Sequence, residues 1–155
     1  MYKRQRPSPN LPNAQAINLY PSLCLFEQTP VSIGRGTEKQ FQGYGHPSFK
    51  GDYSFIPQPN FGAKKPKLVG EKCFGVDLSS HPKLNRLELK WLMKAYADYP
   101  DKENFFSARF VKLAGTKSLE EQIQNGWSEK AIRESWEPQL SNFKKTRSNY
   151  LLYPN

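Results

Sequence analysis

The chain has 155 residues, which gives room for one domain with a real hydrophobic core. Apolar residues make up 37% and aromatic residues 14%, a composition that argues against disorder throughout and predicts a core rich in aromatic rings. The formal net charge of +9 favours encounters with anionic partners, without choosing among nucleic acid, membranes and acidic polymers.

The first five residues look foreign to the rest of the chain. They read Met-Tyr-Lys-Arg-Gln, the string that a common sequencing-adapter repeat would encode when read from a GTG start. Without Lys3 and Arg4 the formal net charge falls by two, from +9 to +7, so the chain stays basic. We therefore expect residues 1–5 to be an adapter artefact and the natural N-terminus to be missing.

Membrane insertion is not expected. No run approaches the roughly 18 apolar residues of a membrane span. The N-terminal region also lacks the apolar stretch of a signal peptide.

The N-terminal part is predicted to contain a helix followed by a strand. Proline-rich residues 6–12 favour an extended entry, and residues 14–20 can form one or two helical turns. Pro21 should end that helix. The compact apolar run of residues 22–26 is typical of a buried strand.

Two further strands are predicted in the middle of the chain. Residues 53–56 are a short aromatic candidate, and residues 72–78 alternate with the period of two that strands show. We expect the apolar face of the second strand to point inward: Phe74, Val76 and Leu78. The opposite face would carry Cys73, Gly75 and Asp77. Between the strands lies a basic loop with Lys64, Lys65 and Lys67.

The C-terminal half is predicted to be mainly helical. Residues 87–96 carry apolar side chains at helical spacing, whereas residues 105–111 are predicted as a strand or an extended core segment. Ser118 and Glu121 form the capping-box pattern of a short helix, and Gly126 should end it.

The last helical segments carry an aromatic stripe. Ser128 and Ser135 are predicted to cap two separate helices. The stripe has spacings of four, three, four and three, and we expect it to pack into the core: Trp136, Leu140, Phe143, Arg147 and Tyr150. Together the elements predict an α+β fold, with a small mixed or antiparallel sheet covered by helices from the C-terminal half.

Two charged side chains are candidates for chemistry. Arg35 lies in residues 34–37, Gly-Arg-Gly-Thr, which we call the glycine loop. Its guanidinium can bind a carboxylate or phosphate through two hydrogen bonds, with Thr37 adding a hydroxyl; an ordinary turn with a solvated arginine fits the pattern equally well. Glu27 is a candidate for acid or base chemistry, but glycoside hydrolysis normally uses two carboxylates and no motif ties a second one to it.

Other common site patterns are not found. The glycine loop matches neither a phosphate-binding loop nor a dinucleotide-binding fingerprint, and there is no Gly-x-Ser-x-Gly nucleophile elbow. Cys24 and Cys73 lack the spacing of zinc ligands, so neither a metal nor another cofactor is predicted. The two cysteines could pair in an exported protein or be buried thiols in a reducing compartment.

Several short strings occur together in a characteristic order: PSPNLP (7–12), YPSLCLFE (20–27), GRGT (34–37), GVD (75–77), KLAGT (112–116), SW (135–136) and YLLYP (150–154). On these strings the chain resembles the exo-β-N-acetylmuramidases of the NamZ type, a match that spans nearly everything from Arg6 to Asn155. One departure is visible: a Gly-Thr-Asn run is expected after the glutamate, where this chain has Gln28, Thr29 and Pro30.

The resemblance implies a bacterial enzyme that is periplasmic or secreted and needs no cofactor. Such enzymes release N-acetylmuramic acid from the non-reducing ends of peptidoglycan fragments. They have a Rossmann-like N-terminal domain and a C-terminal auxiliary domain, with the cleft between them. Residues 6–40 would be the tail of the catalytic domain and residues 41–155 the C-terminal domain. The chain would then be the C-terminal piece of a larger protein and inactive alone, its partners being muramic-acid saccharides and the missing N-terminal domain.

The resemblance also suggests roles for individual residues. Glu27 would be a catalytic carboxylate near the cleft. Arg35, Gly36, Thr37 and Asn10 would contact substrate, and the lactyl carboxylate of muramic acid suits Arg35 in a basic cleft.

A non-catalytic basic module is the competing interpretation. It would bind peptidoglycan or, with weaker support, nucleic acid through aromatic stacking platforms. The candidate rings are Tyr44, Tyr53, Phe55 and Trp91.

Overall fold

The computed structural model describes residues 7–153. The proposed adapter residues 1–5, Arg6 and the last two residues lie outside this range. The chain divides into two compact units, Met1–Lys117 and Ser118–Asn155. The expected boundary near residue 40, between the tail of a catalytic domain and a C-terminal domain, stays a prediction.

The first unit contains a three-stranded antiparallel sheet. Its strands are β1 (Gly43–His46), β2 (Tyr53–Phe55) and β3 (Cys73–Asp77), in the order β1-β3-β2. Gly75 of β3 lies opposite Gly45 of β1, and the ideal Cβ position of Gly75 is only 2.0 Å from the carbonyl oxygen of Tyr44, so a side chain there would clash with β1. The predicted α+β class and the two strands predicted at residues 53–56 and 72–78 are confirmed. Of the two sheet types predicted, mixed or antiparallel, the structure has the antiparallel one.

The faces of β3 are buried differently from the prediction. Leu78 is buried as expected, but Phe74 and Val76 are partly exposed. Cys73, on the opposite face, is fully buried. Alternation along the strand therefore did not predict which of its side chains are buried.

A helix and a 3₁₀-helix precede the sheet. The helix α1 (Ala14–Leu23) begins at Asn13, whose side-chain oxygen accepts from the amide of Ala16 at 2.9 Å. It continues directly into the 3₁₀-helix Cys24–Gln28.

The strand predicted at residues 22–26 is therefore wrong, and Pro21 lies inside α1 instead of ending it. A short apolar run can be a buried helical segment as readily as a strand. Apolar residues at spacings of three, four and three indicate that the helical segment continues past residue 20. All four are fully buried in the structure: Ala16, Leu19, Leu23 and Phe26.

Two helices follow the sheet within the first unit, α2 (Lys90–Asp98) and α3 (Phe110–Ala114). The helix predicted over residues 87–96 is confirmed, although it begins at Lys90 and ends at Asp98. Phe105, Phe106 and Phe110 are buried as expected. Residues 105–111 are not a strand, since they form bends, turns and the start of α3, and residues 107–109 are exposed. The rings of Phe105 and Phe106 meet edge-to-face with centroids 4.9 Å apart, whereas adjacent residues of a strand point to opposite faces.

The second unit consists of α4 (Ser118–Gln124) and α5 (Glu129–Ser148). Gly126 has φ +72° after α4, and the Ser128 hydroxyl accepts from the amide of Ala131 at 3.2 Å, as both predictions required. Ser135 does not cap a separate helix. It lies within α5, where its hydroxyl donates to the carbonyl oxygen of Ile132 at 2.6 Å.

The aromatic stripe of α5 was predicted to be core, and this was wrong. Leu140 is 39% exposed and Phe143 61%, whereas Ile132 on the same helix is fully buried. Tyr150, which lies beyond the end of α5, is 79% exposed. The spacing shows only that these side chains share a face, and it does not show what covers that face. No helix within residues 7–153 is long and apolar enough to cross a membrane.

The difference in burial between Ile132 and Phe143 of α5 predicts different effects on the free energy of unfolding. Ile132→Ala should lower the free energy of unfolding by about 2–5 kcal/mol, because it removes buried methyl groups and leaves a cavity. Phe143→Ala should change it by no more than about 0.5 kcal/mol. Urea denaturation of both variants tests this, and a large loss in Phe143→Ala would show that the stripe is packed.

Candidate functional site

The predicted site residues Glu27 and Arg35 meet at a cavity of about 290 Å³. We call it the first cavity. Its other walls come from Ser32, Ile33 and residues 62–67, which include the basic loop. Among the described residues, four basic ones and one acidic one line the first cavity, which therefore has an excess of positive charge: Arg35, Lys64, Lys65 and Lys67 against Glu27.

An ion pair holds the two charged groups together. The Arg35 Nη2 donates to the Glu27 Oε1, and both side chains stay about one-third exposed, at 35% and 27%. The guanidinium carbon lies 4.9 Å from the centroid of the Phe41 ring, so the arginine also packs on an aromatic face. Glu27 belongs to the 3₁₀-helix, not to a strand end as expected. Arg35 is therefore fixed by its surroundings and is not a freely solvated turn residue.

The glycine loop has the conformation that its glycines allow. Gly34 and Gly36 have φ of +75° and +81°. An added Cβ at Gly36 would lie 2.5 Å from the carbonyl oxygen of Gln58 and 2.7 Å from Cγ of Pro66. The absence of a side chain at Gly36 therefore lets the backbone pack closely against residues 58 and 66. This packing places the basic loop beside Arg35.

Two predicted contact residues have structural partners inside the protein. The Thr37 hydroxyl donates to the carbonyl oxygen of Gly34 at 2.7 Å and accepts from the amide of Lys39 at 3.0 Å. Thr37 is absent from the walls of the first cavity. Asn10 is 6% exposed, and its Nδ2 donates to the carbonyl oxygen of Gly62 at 2.7 Å. Asn10 thus holds the wall of the cavity in place.

Lys67 links the basic loop to the segment that carries Glu27. Its Nζ donates to the carbonyl oxygens of Phe26 at 3.0 Å, Glu27 at 2.9 Å and Thr29 at 2.5 Å. These carbonyls lie at the end of the 3₁₀-helix, where backbone acceptors need partners from outside the helix. The carbonyl of Phe26 also accepts from the Thr29 amide at 3.0 Å. Although much of the side chain is exposed, desolvation of the ammonium lowers the pKa of Lys67 to about 8, against the opposing effect of the Glu27 carboxylate.

Backbone strain also concentrates here. Within residues 7–153, two residues other than glycine have positive φ: Phe41 at +54° and Leu68 at +56°. Phe41 supports the Arg35 guanidinium and Leu68 follows Lys67. Such conformations cost about 1–3 kcal/mol each and are frequent at functional sites, so the strain is an independent indication of one.

A second cavity of about 270 Å³ shares Glu27 and Lys67 with the first. Its remaining walls are Gln28, Thr29, Pro30, Asn104, Phe105 and Ser107. No local sequence pattern distinguished Asn104 or Ser107, which the fold brings to Gln28 from nearly 80 positions along the chain. The departure from the expected Gly-Thr-Asn run therefore lies in a cavity wall.

The stacking platforms suggested by the competing interpretation are only partly available. Tyr44 is 2% exposed and Trp91 is 5% exposed, so both rings belong to the core. Tyr53 and Phe55 remain partly exposed. Cys24 and Cys73 are unpaired thiols in the structure, and burial raises the pKa of Cys73 to about 11. Residues 7–153 contain no group of three or more metal-ligating side chains of the His, Cys, Asp or Glu type.

The sequence and the fold are similar to those of known proteins. A family model described as "Exo-beta-N-acetylmuramidase NamZ, C-terminal" matches residues 18–153. The peptidoglycan beta-N-acetylmuramidase NamZ of Bacillus subtilis is 34% identical over 164 residues, which cover 95% of this chain and 40% of that protein. A crystal structure of a DUF1343 family protein from Bacteroides fragilis is 42% identical with a TM-score of 0.90, covering 97% of this chain and 44% of that one. The chain thus spans less than half the length of either protein.

The close contact at Gly36 predicts that adding a side chain there causes a steric clash. Gly70 provides the control. Gly70 has a similar φ of +79°, but an added Cβ there would meet nothing within 4 Å. Gly70→Ala should cost about 1–2 kcal/mol from the backbone conformation alone. Gly36→Ala should cost at least about 1–3 kcal/mol more, because Gln58 and Pro66 must move. Thermal unfolding measures both, and equal losses would contradict the close packing at Gly36.

The three bonds of Lys67 predict a loss of stability when its charge is removed. Lys67→Met keeps the apolar stem but leaves the carbonyls at the end of the 3₁₀-helix without the ammonium, which should cost about 1–3 kcal/mol. Lys65→Met, at an exposed position of the same loop, should cost no more than about 0.5 kcal/mol. Urea denaturation distinguishes the two, and similar values would mean that the Lys67 bonds contribute little.

Proposed function

The chain belongs to the family of C-terminal domains of the exo-β-N-acetylmuramidase NamZ, and on this premise we propose that it forms part of the substrate cleft of a peptidoglycan exo-β-N-acetylmuramidase. In this proposal the first cavity binds the terminal N-acetylmuramic acid. The parent protein hydrolyses the bond that links this sugar to the rest of the peptidoglycan fragment.

The observation that carries the proposal is the position of Arg35 in a cavity with an excess of positive charge. Muramic acid differs from other peptidoglycan sugars by its lactyl group, which ends in a carboxylate. A guanidinium has five N–H donors, and the bond to Glu27 leaves donors for a second carboxylate. Lys64 and Lys65 add positive charge at the cavity wall, so an anionic sugar is favoured over a neutral one.

The chemistry requires more carboxylates than this cavity supplies. Of the described residues in the wall of the first cavity, Glu27 alone is acidic, whereas glycosidases commonly use a pair of carboxyl groups. We propose that Glu27 borders the scissile bond and that a Rossmann-like N-terminal domain of the parent supplies the principal catalytic carboxylates. Such a domain fits the greater length of both similar proteins. The 155-residue chain is then a binding component without activity of its own.

The location of the parent follows from its substrate. Peptidoglycan fragments arise outside the cytoplasmic membrane, so we propose that the parent acts in the periplasm or is secreted. Nucleic acid is a weaker candidate partner, because two of the four rings considered for base stacking are buried.

Binding measurements on the 155-residue chain test the proposal. It should bind N-acetylmuramic acid more tightly than N-acetylglucosamine, and Arg35→Ala should weaken the binding about tenfold or more, since a charged hydrogen bond contributes about 1.5–3 kcal/mol. Lys130→Ala removes an exposed positive charge from α5 and is the matched control. Isothermal titration calorimetry gives the affinities.

Two results would contradict this function. One is an Arg35→Ala variant that binds N-acetylmuramic acid as tightly as the original chain. The other is release of N-acetylmuramic acid from a chromogenic substrate by the isolated chain, which would place the complete chemistry within these residues.

A further inference from the structure

The two cavities adjoin at Glu27 and Lys67 but differ in chemical character. The first has four cationic side chains in its wall. In the second, the side chains from the described part of the chain that are not shared with the first are all uncharged. The Lys67 ammonium, which belongs to both, is already bonded to three carbonyl oxygens. A ligand that spans both cavities should therefore be anionic at one end and neutral at the other.

The second cavity also offers unused hydrogen-bonding groups. Gln28 accepts from the Ser107 hydroxyl through its Oε1 at 2.7 Å, and its Nε2 has no partner among the described residues. Asn104 donates through its Nδ2 to Asp101 at 2.8 Å, and within the same range its Oδ1 is not engaged. An amide donor and an amide acceptor beside one cavity match a sugar, whose hydroxyl groups both donate and accept.

The loop that carries Asn104 and Ser107 is held in place by core packing and by a hydrogen bond to the 3₁₀-helix. Phe105 is fully buried and Phe106 is 7% exposed, so the polar residues beside them are fixed by core packing. The amide of Ser107 donates to the carbonyl oxygen of Gln28 at 3.0 Å, which ties this loop to the 3₁₀-helix. Groups ordered in advance lose little conformational entropy on binding a ligand.

We propose that the second cavity binds the neutral sugar that is linked to the terminal muramic acid, with Gln28 Nε2 as donor and Asn104 Oδ1 as acceptor. This inference rests on the proposed function, because it takes the first cavity as the muramic acid site. The linkage between the two sugars then lies beside Glu27, which borders both cavities. Gln28 thus becomes a determinant of which sugar follows muramic acid.

The test compares three ligands by calorimetry on the 155-residue chain. These are N-acetylmuramic acid, N-acetylglucosamine and the disaccharide in which muramic acid is the non-reducing sugar joined to N-acetylglucosamine. The disaccharide should bind about tenfold more tightly than N-acetylmuramic acid, because its second sugar adds one or two hydrogen bonds.

Variants assign this gain to particular residues. In Asn104→Ala and in Gln28→Met, which preserves side-chain length, the ratio of the two affinities should fall from about ten towards one. Asn142→Ala, at an exposed position of α5, is the control and should keep the full ratio. Circular dichroism of each variant verifies that the fold is retained.

The outcomes separate this inference from the proposed function. If N-acetylmuramic acid itself does not bind, the proposed function fails and the second site fails with it. If N-acetylmuramic acid binds but the disaccharide gains nothing, only the second site is overturned. A gain that persists in both variants overturns the assignment to Gln28 and Asn104.

Discussion

The candidate site depends on one ammonium group, that of Lys67, which binds three carbonyl oxygens at the end of the 3₁₀-helix. A positive charge is favourable at such an end, because the last carbonyls of a helix carry partial negative charge. The same three bonds hold the basic loop against the segment that bears Glu27. Without them, neither cavity would have a defined wall on this side, since both include Lys67.

The site combines strained backbone with close packing. Phe41 adopts a left-handed conformation, and its ring supports the Arg35 guanidinium, while Gly36 brings the glycine loop against Pro66. Such a conformation is unfavourable for a phenylalanine, but complete burial of its ring offsets the cost. The guanidinium is thereby positioned before any ligand binds, which lowers the entropy lost on binding.

Part of this arrangement could be predicted from the sequence. Glu27 and Arg35 were recognised as candidates, and the ion pair brings them together; the strands at residues 53–56 and 72–78 were also correct. The strand at residues 22–26 failed because a short apolar run does not distinguish strand from helix. Asn104 could not be predicted as a site residue, because it lies near Gln28 only in the folded chain and is far from it in the sequence. The exposed stripe of α5 shows a related limit of sequence patterns. Periodicity shows which residues share a helix face, but it does not show whether that face is buried.

The anchors around the basic loop restrict its length more than its composition. The amide of Gln58 donates to the carbonyl oxygen of Gly36 at one end, Lys67 is held at the other, and Asn10 binds the carbonyl of Gly62 between them. A single inserted or deleted residue after Gly62 would shift Lys67 along the chain by about 3.8 Å, out of reach of its carbonyls. Relatives that share this site should therefore keep the spacing from Gly62 to Lys67 constant, while the exposed positions between them tolerate exchanges that keep a positive charge at the cavity wall.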